Sequence, residues 1–186
     1  MRATLDAPDG AHGAVVACPP HPKMGGSRTD RRLRAVADAL VDRGVACVRF
    51  DYGPWDEGRG ERRDARNALK YAHDRYETVG LFGYSFGAGV ALLATAESDP
   101  QPAAVSALAP PATVGDEDVT GAVAAVDGPL QVVYGERDDT VDWRPVVERA
   151  HNVGAGVRVV DADHRFVGRT DAVADAVAPF LAAVLK

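Results

Sequence analysis

The chain has 186 residues, a mass of 19.6 kDa and a formal net charge of -6. Its 46% hydrophobic and 26% charged residues exclude a mainly disordered chain, and its length predicts a single domain over residues 1–186 with a core of its own. The acidic balance argues against nucleic acid or an anionic membrane surface as partner.

A weak strand within Arg2–Leu5 comes first, followed by a strand at Ala14–Cys18. An irregular stretch rich in proline and glycine, Pro19–Arg28, leads into a helix over Thr29–Arg43. There Leu33, Val36, Ala37, Leu40 and Val41 recur with a helical period, and Gly44 is placed to end the helix. Strand Val45–Phe50 precedes a polar helix over Arg59–Tyr76, with Ala65, Ala68, Leu69 and Ala72 along one side. Strand Val79–Phe82 runs into Phe86–Glu97, a helix small and apolar almost all round and therefore buried. Strand Ala104–Leu108 is followed by a second irregular stretch, Ala109–Gly128, with a Pro-Pro pair and an acidic turn at Asp116–Asp118. That stretch is too short for a lid domain. Strand Leu130–Tyr134, helix Trp143–Asn152, strand Val157–Val160 and helix Thr170–Leu185 complete the chain, with Asp171 suited to the last helix dipole.

The strands are nearly continuous apolar runs, as in a parallel sheet buried on both faces. Their alternation with helices predicts an α/β fold with a mostly parallel sheet of about six to seven strands. Cys18 and Cys47 lie in apolar runs; two cysteines make neither a disulfide framework nor a four-cysteine zinc site, so both are expected as buried thiols. The N-terminal MRATLDAPDG lacks the apolar core of a signal peptide, and no run approaches the roughly 18 residues of a membrane span. A cytoplasmic protein without a membrane partner is expected. Aspartate (20) far exceeds glutamate (7) and arginine (18) far exceeds lysine (3), a skew that salt adaptation and a GC-rich genome both produce.

The most informative segment is Gly83-Tyr84-Ser85-Phe86-Gly87, a G-x-S-x-G between a buried strand and a small-residue helix. The chemistry needs that spacing. A serine on a sharp strand-to-helix turn projects its Oγ above the sheet, and the glycines let strand and helix approach. The N–H of Phe86 then points where an oxyanion would form. A nucleophilic serine also needs a carboxylate and a histidine later in the chain. Asp138, just past strand Leu130–Tyr134, is the candidate carboxylate, with Asp139 as alternative; Asp142 suits the cap of a helix opening at Trp143. His164, in the loop after the last strand, is the candidate base. His12, His73 and His151 read as solvated surface residues.

A second oxyanion donor should come from the loop after the first long strand. The N–H of Lys23 is the candidate and that of Met24 the alternative, because prolines have none to offer; His21 would support the loop by hydrogen bonding. Met24, Tyr84, Trp143 and Phe166 are the expected substrate-binding residues, with Tyr52, Trp55 and Phe86 as further candidate walls. Asp161, Asp163 and His164 could suggest a metal, but one short run supplies at most three ligands with poor geometry, so no metal is expected. No Walker A or dinucleotide glycine pattern is present, and no cofactor is expected.

Together these residues resemble the α/β-hydrolase superfamily, and more narrowly its small lidless members similar to dienelactone hydrolases. The resemblance covers nearly the whole chain. That group's His-Pro-His-Pro-x-x-Gly-Gly loop is matched at positions 19–26, with Pro19 in place of the first histidine. The elbow, the Gly135-x-x-Asp138-x-x-Val141 run and the His164-x-Phe166 run match it too. The stretch from Arg49 to Glu61 is several residues shorter than in the group and lacks its usual Arg-Gly pair. Dienelactone hydrolases proper use a cysteine nucleophile where this chain has Ser85. The resemblance implies a three-layer sandwich without a lid and a serine hydrolase acting on a small-molecule ester or related acyl substrate. The rivals are a non-catalytic binding domain of the same fold and an acyltransferase or peptidase using the same triad. A homodimer through edge strands or helices stays open, since no decisive apolar stripe marks one.

Overall fold

The computed structural model describes residues 2–185. In chain order the elements are β1 (Arg2–Asp6), β2 (Gly13–Cys18), a 3₁₀ turn (Pro22–Met24), α1 (Arg31–Val41), β3 (Ala46–Asp51) and α2 (Arg59–His73). Then come β4 (Thr78–Tyr84), α3 (Phe86–Ala96), β5 (Val105–Leu108), β6 (Thr113–Val114), β7 (Glu117–Asp118) and α4 (Val119–Val123). The chain closes with β8 (Leu130–Gly135), α5 (Arg144–Asn152), β9 (Gly156–Val160) and α6 (Thr170–Leu185). Seven strands form one sheet in the order β1-β3-β2-β4-β5-β8-β9, antiparallel only at β1–β3. Strands β6 and β7 pair separately as a small antiparallel hairpin.

Each strand feeds both faces of the sheet because successive side chains point to opposite sides. On β4, Val79 and Leu81 pack into the layer of α2, α3, α4 and α5, whereas Phe82 and Tyr84 pack into the layer of α1 and α6. The result is a three-layer α/β sandwich with β4 at its centre. Helix α3 is buried over nearly its whole length, from Phe86 to Thr95, which is why its sequence shows no polar face. Helix α1 starts at Arg31 because Asp30 takes the N-cap, accepting from the Arg32 and Leu33 N–H groups. The chain leaves α1 through Gly44 at φ 82°, a left-handed conformation that glycine adopts without penalty. Edge strand β1 is fastened by Arg49 of β3, whose Nε and Nη2 donate to Asp6 at 2.6 and 3.1 Å.

Two expectations need correction. The last strand is not buried on both faces: β9 lies at the sheet edge and Val159 is 57% exposed. The stretch from Ala109 to Gly128 is not wholly irregular: it holds β6, β7 and α4, with Asp118 capping α4 through the Thr120 and Gly121 N–H groups. This unit is all that lies between β5 and β8, and no lid domain is inserted there. Cys18 and Cys47 are free and buried, and burial pushes both thiols well above their ordinary range. Among the described residues, no helix is long and apolar enough to cross a membrane.

Candidate active site

Strand β4 ends at Tyr84 and α3 begins at Phe86, leaving Ser85 alone to turn the chain. Its φ of 56° and ψ of −124° lie outside the regions that ordinary residues occupy. The flanking glycines make the turn sterically feasible. A Cβ on Gly83 would sit 2.1 Å from the Gly87 carbonyl oxygen, and one on Gly87 would sit 2.3 Å from that of Pro19. The Ser85 N–H donates to the Leu108 carbonyl at 2.8 Å, which ties the turn to β5. The Phe86 N–H is the first donor of α3 and has no intrahelical acceptor.

The structure brings the three expected polar residues together. Ser85 Oγ lies 2.9 Å from His164 Nε2, and His164 Nδ1 lies 2.7 Å from Asp138 Oδ2. A carboxylate only accepts, so the proton sits on Nδ1 and leaves Nε2 free to accept from Ser85. Asp138 Oδ1 accepts from the Thr140 and Val141 N–H groups at 3.0 and 3.3 Å. Burial alone would raise the Asp138 pKa; the hydrogen bonds from His164, Thr140 and Val141 outweigh it and hold the carboxyl below its ordinary value. Asp138 and His164 are buried at 3% and 8% exposure, whereas Asp139 is exposed. Asp142 does not cap α5: the N-cap is Trp143, and no side chain bonds there. Asp161 turns outward to Arg137 and Arg169 rather than toward His164. Of the other histidines, His12 and His151 are exposed, but His73 is half-buried and its Nε2 finds no partner among the described residues.

The expected donor at Lys23 is displaced. The segment winds into a 3₁₀ turn, and the Lys23 N–H donates to His21 Nδ1 at 3.2 Å. The Met24 and Gly26 N–H groups donate to the His21 carbonyl, and that of Gly25 to Pro22. Among the described residues, the N–H groups of His21 and Ser27 are the two in this loop left without an acceptor, and that of His21 precedes the 3₁₀ turn. Its ring stacks on Trp55 at 4.5 Å and lies 4.8 Å from that of Phe86, so the loop leans on the start of α3. Desolvation beside these rings lowers the His21 pKa, with Glu61 opposing and Lys23 assisting.

A cleft of about 840 Å³ opens over Ser85. Trp55, His21 and Phe86 pack together in its lining, which also includes Pro111, Val114 and Val141. Met24 lies in the lining at 80% exposure, and Tyr84 also reaches the cleft. Trp143 and Phe166 do not line it. Trp143 stacks on Tyr134 at 4.1 Å and donates through Nε1 to the Asp138 carbonyl, bracing that loop from behind. Phe166 is fully buried in the α1–α6 layer, edge-on to Tyr84. Tyr52, also considered as a wall, donates instead to the Pro19 carbonyl at 3.2 Å. The walls at Pro111 and Val114 were hidden in the stretch read as irregular; its Pro-Pro pair after β5 was the available signal.

A mostly parallel seven-stranded sheet, a serine on a strained strand–helix turn and no inserted domain define an α/β hydrolase without a lid. The chain belongs to the dienelactone hydrolase family, whose family model matches residues 47–182. Among solved structures it is similar to a lidless α/β serine hydrolase from Xanthomonas campestris, at 26% identity and a TM-score of 0.82, covering 98% of this chain and 88% of that one. An α/β serine hydrolase homologue from Coxiella burnetii is 25% identical at a TM-score of 0.81, covering 96% of this chain and 90% of that one. A dienelactone hydrolase from Anabaena variabilis shares the fold at 24% identity and a TM-score of 0.78, over 99% of this chain and 92% of that one. A search of curated proteins finds no match.

Proposed function

We propose that this hydrolase is a serine esterase acting on small carboxylic esters. The observation that carries the reading is the unbroken line of hydrogen bonds from Ser85 through His164 to Asp138 beneath an open cleft. His164 Nε2 takes the hydroxyl proton as Ser85 Oγ attacks the ester carbonyl. Asp138 holds the ring in the required tautomer and stabilises the imidazolium. The N–H groups of Phe86 and His21 receive the oxyanion. When the tetrahedral intermediate collapses, the C–O bond breaks and His164 returns its proton to the leaving alcohol. Water, deprotonated by His164, then attacks the acyl-enzyme; the bond from Ser85 Oγ to the acyl carbon breaks, His164 returns the proton to Oγ, and the acid leaves.

The apolar side chains in the lining, among them Trp55, Phe86, Pro111, Val114 and Val141, favour an apolar group on the substrate. The test is hydrolysis of a p-nitrophenyl ester series of rising chain length by wild type and Ser85→Ala. Turnover should fall by about 10⁴-fold or more in the variant. Equal turnover in the two proteins, or none above background in wild type, overturns the reading.

A further inference from the structure

The loop that carries His164 is held from below by side chains distant in sequence. Two consecutive carbonyls of that loop are anchored. Tyr84 Oη donates to the His164 carbonyl at 2.9 Å, and Arg32 Nη1 donates to the Arg165 carbonyl at 2.8 Å. The two anchors also meet each other, with the Arg32 guanidinium 4.3 Å from the centre of the Tyr84 ring. Arg32 is itself fixed by Asp30: Nε donates to Oδ1 at 3.0 Å, and Nη2 pairs with Oδ2. The side chains of Asp30 and Arg32 are only 10% and 12% exposed. Asp30 is in turn held in place as the N-cap of α1. All three guanidinium nitrogens thus have a partner within the protein, although Arg32 borders the cleft.

Tyr84 immediately precedes Ser85. One rigid cluster therefore joins the residue before the nucleophile to the backbone of the base. Lysine in place of Arg32 would lack the planar fork that serves Asp30, the Arg165 carbonyl and the Tyr84 ring at once. We propose that Arg32, locked by Asp30 and stacked on Tyr84, is a positioning residue that sets the distance between His164 Nε2 and Ser85 Oγ. The proposal rests on the esterase reading for its kinetic consequence, but not for its structural one.

The experiment compares wild type, Arg32→Leu and Tyr84→Phe by hydrogen exchange and by ester kinetics, with Ser85→Ala as control. In Arg32→Leu, peptides covering residues 161–169 should exchange about tenfold faster while peptides from β2 and β4 keep their protection. kcat should fall about 10- to 100-fold, the cost of a small misplacement of a reacting group, with KM within about twofold of wild type. Tyr84→Phe, which keeps the ring and removes only the hydroxyl, should move both readouts in the same direction. Unchanged exchange at 161–169 in both variants overturns the clamp. Faster exchange with unchanged kcat overturns its role in positioning. A rise in KM alone makes Arg32 a substrate-binding cation and overturns it too. If Ser85→Ala matches wild type, the esterase reading falls and the exchange result alone decides the clamp. If Arg32→Leu does not fold, Tyr84→Phe decides it.

Discussion

Every oxygen of Asp138 has a hydrogen-bond partner. One carboxylate oxygen faces His164, the other closes the turn at Thr140 and Val141, and the carbonyl receives the Trp143 indole. Asp138→Asn should therefore lower kcat by about 10³- to 10⁴-fold, because an amide N–H presented to Nδ1 favours the wrong tautomer. The same residue gives a sign to the pH dependence. Its folded pKa is held below the ordinary value. Its stabilising contribution is thus complete above the ordinary carboxylate pKa of about 3.9 and is lost as the pH falls through the lower folded value. Thermal unfolding of wild type and Asp138→Asn should differ by a constant amount well above the ordinary carboxylate pKa of about 3.9 and converge as the pH falls below it. At this scale Ser85, Asp138 and His164 were legible because each stands at a fixed offset from a strand end. Lys23 misled because a three-residue turn reverses which N–H is free, and that depends on His21 serving as its N-cap. Trp143 and Phe166 misled because an aromatic near a site looks the same in sequence whether it turns toward the cleft or into the core.

The strand–turn–helix of β4 and α3 has no room for a side chain at Gly83 or Gly87, where a Cβ would run into backbone. A Cβ at Gly87 would meet the carbonyl oxygens of Pro19 at 2.3 Å and Cys18 at 2.4 Å, both backbone atoms with little freedom to move. Gly87→Ala should destabilise the fold by about 1–3 kcal/mol and push the His21 loop away from Phe86. Denaturant unfolding measures the first effect; a fall in kcat larger than the loss of folded protein measures the second. The apolar strands and the period of α1 made the sheet and its main helices readable. The hairpin of β6 and β7 was not, since two-residue strands leave no period to detect. Gly115 at φ 57° and the Asp118 cap were the local marks of that unit.

The whole molecule carries a net charge of -6, and some of its aspartates are paired with arginine: Asp51 with Arg28, Asp30 with Arg32, Asp6 with Arg49. What remains is net self-repulsion, which salt screens. Raising NaCl from about 0.1 to 1 M should raise Tm, by about 2–4 °C for each kcal/mol gained, and a fall in Tm would show that the ion pairs matter more than the repulsion. Sequence showed the charge but not the pairing, because partners such as Asp6 and Arg49 meet only through the β1–β3 register. The central claim, that the folded protein holds one activated serine, is tested most directly by fluorophosphonate labelling with the modified residue mapped by mass spectrometry. The account predicts one adduct, on Ser85, absent from Ser85→Ala and formed at least about 100-fold more slowly in His164→Ala. No adduct on folded wild-type protein, or an adduct elsewhere that survives Ser85→Ala, would contradict it.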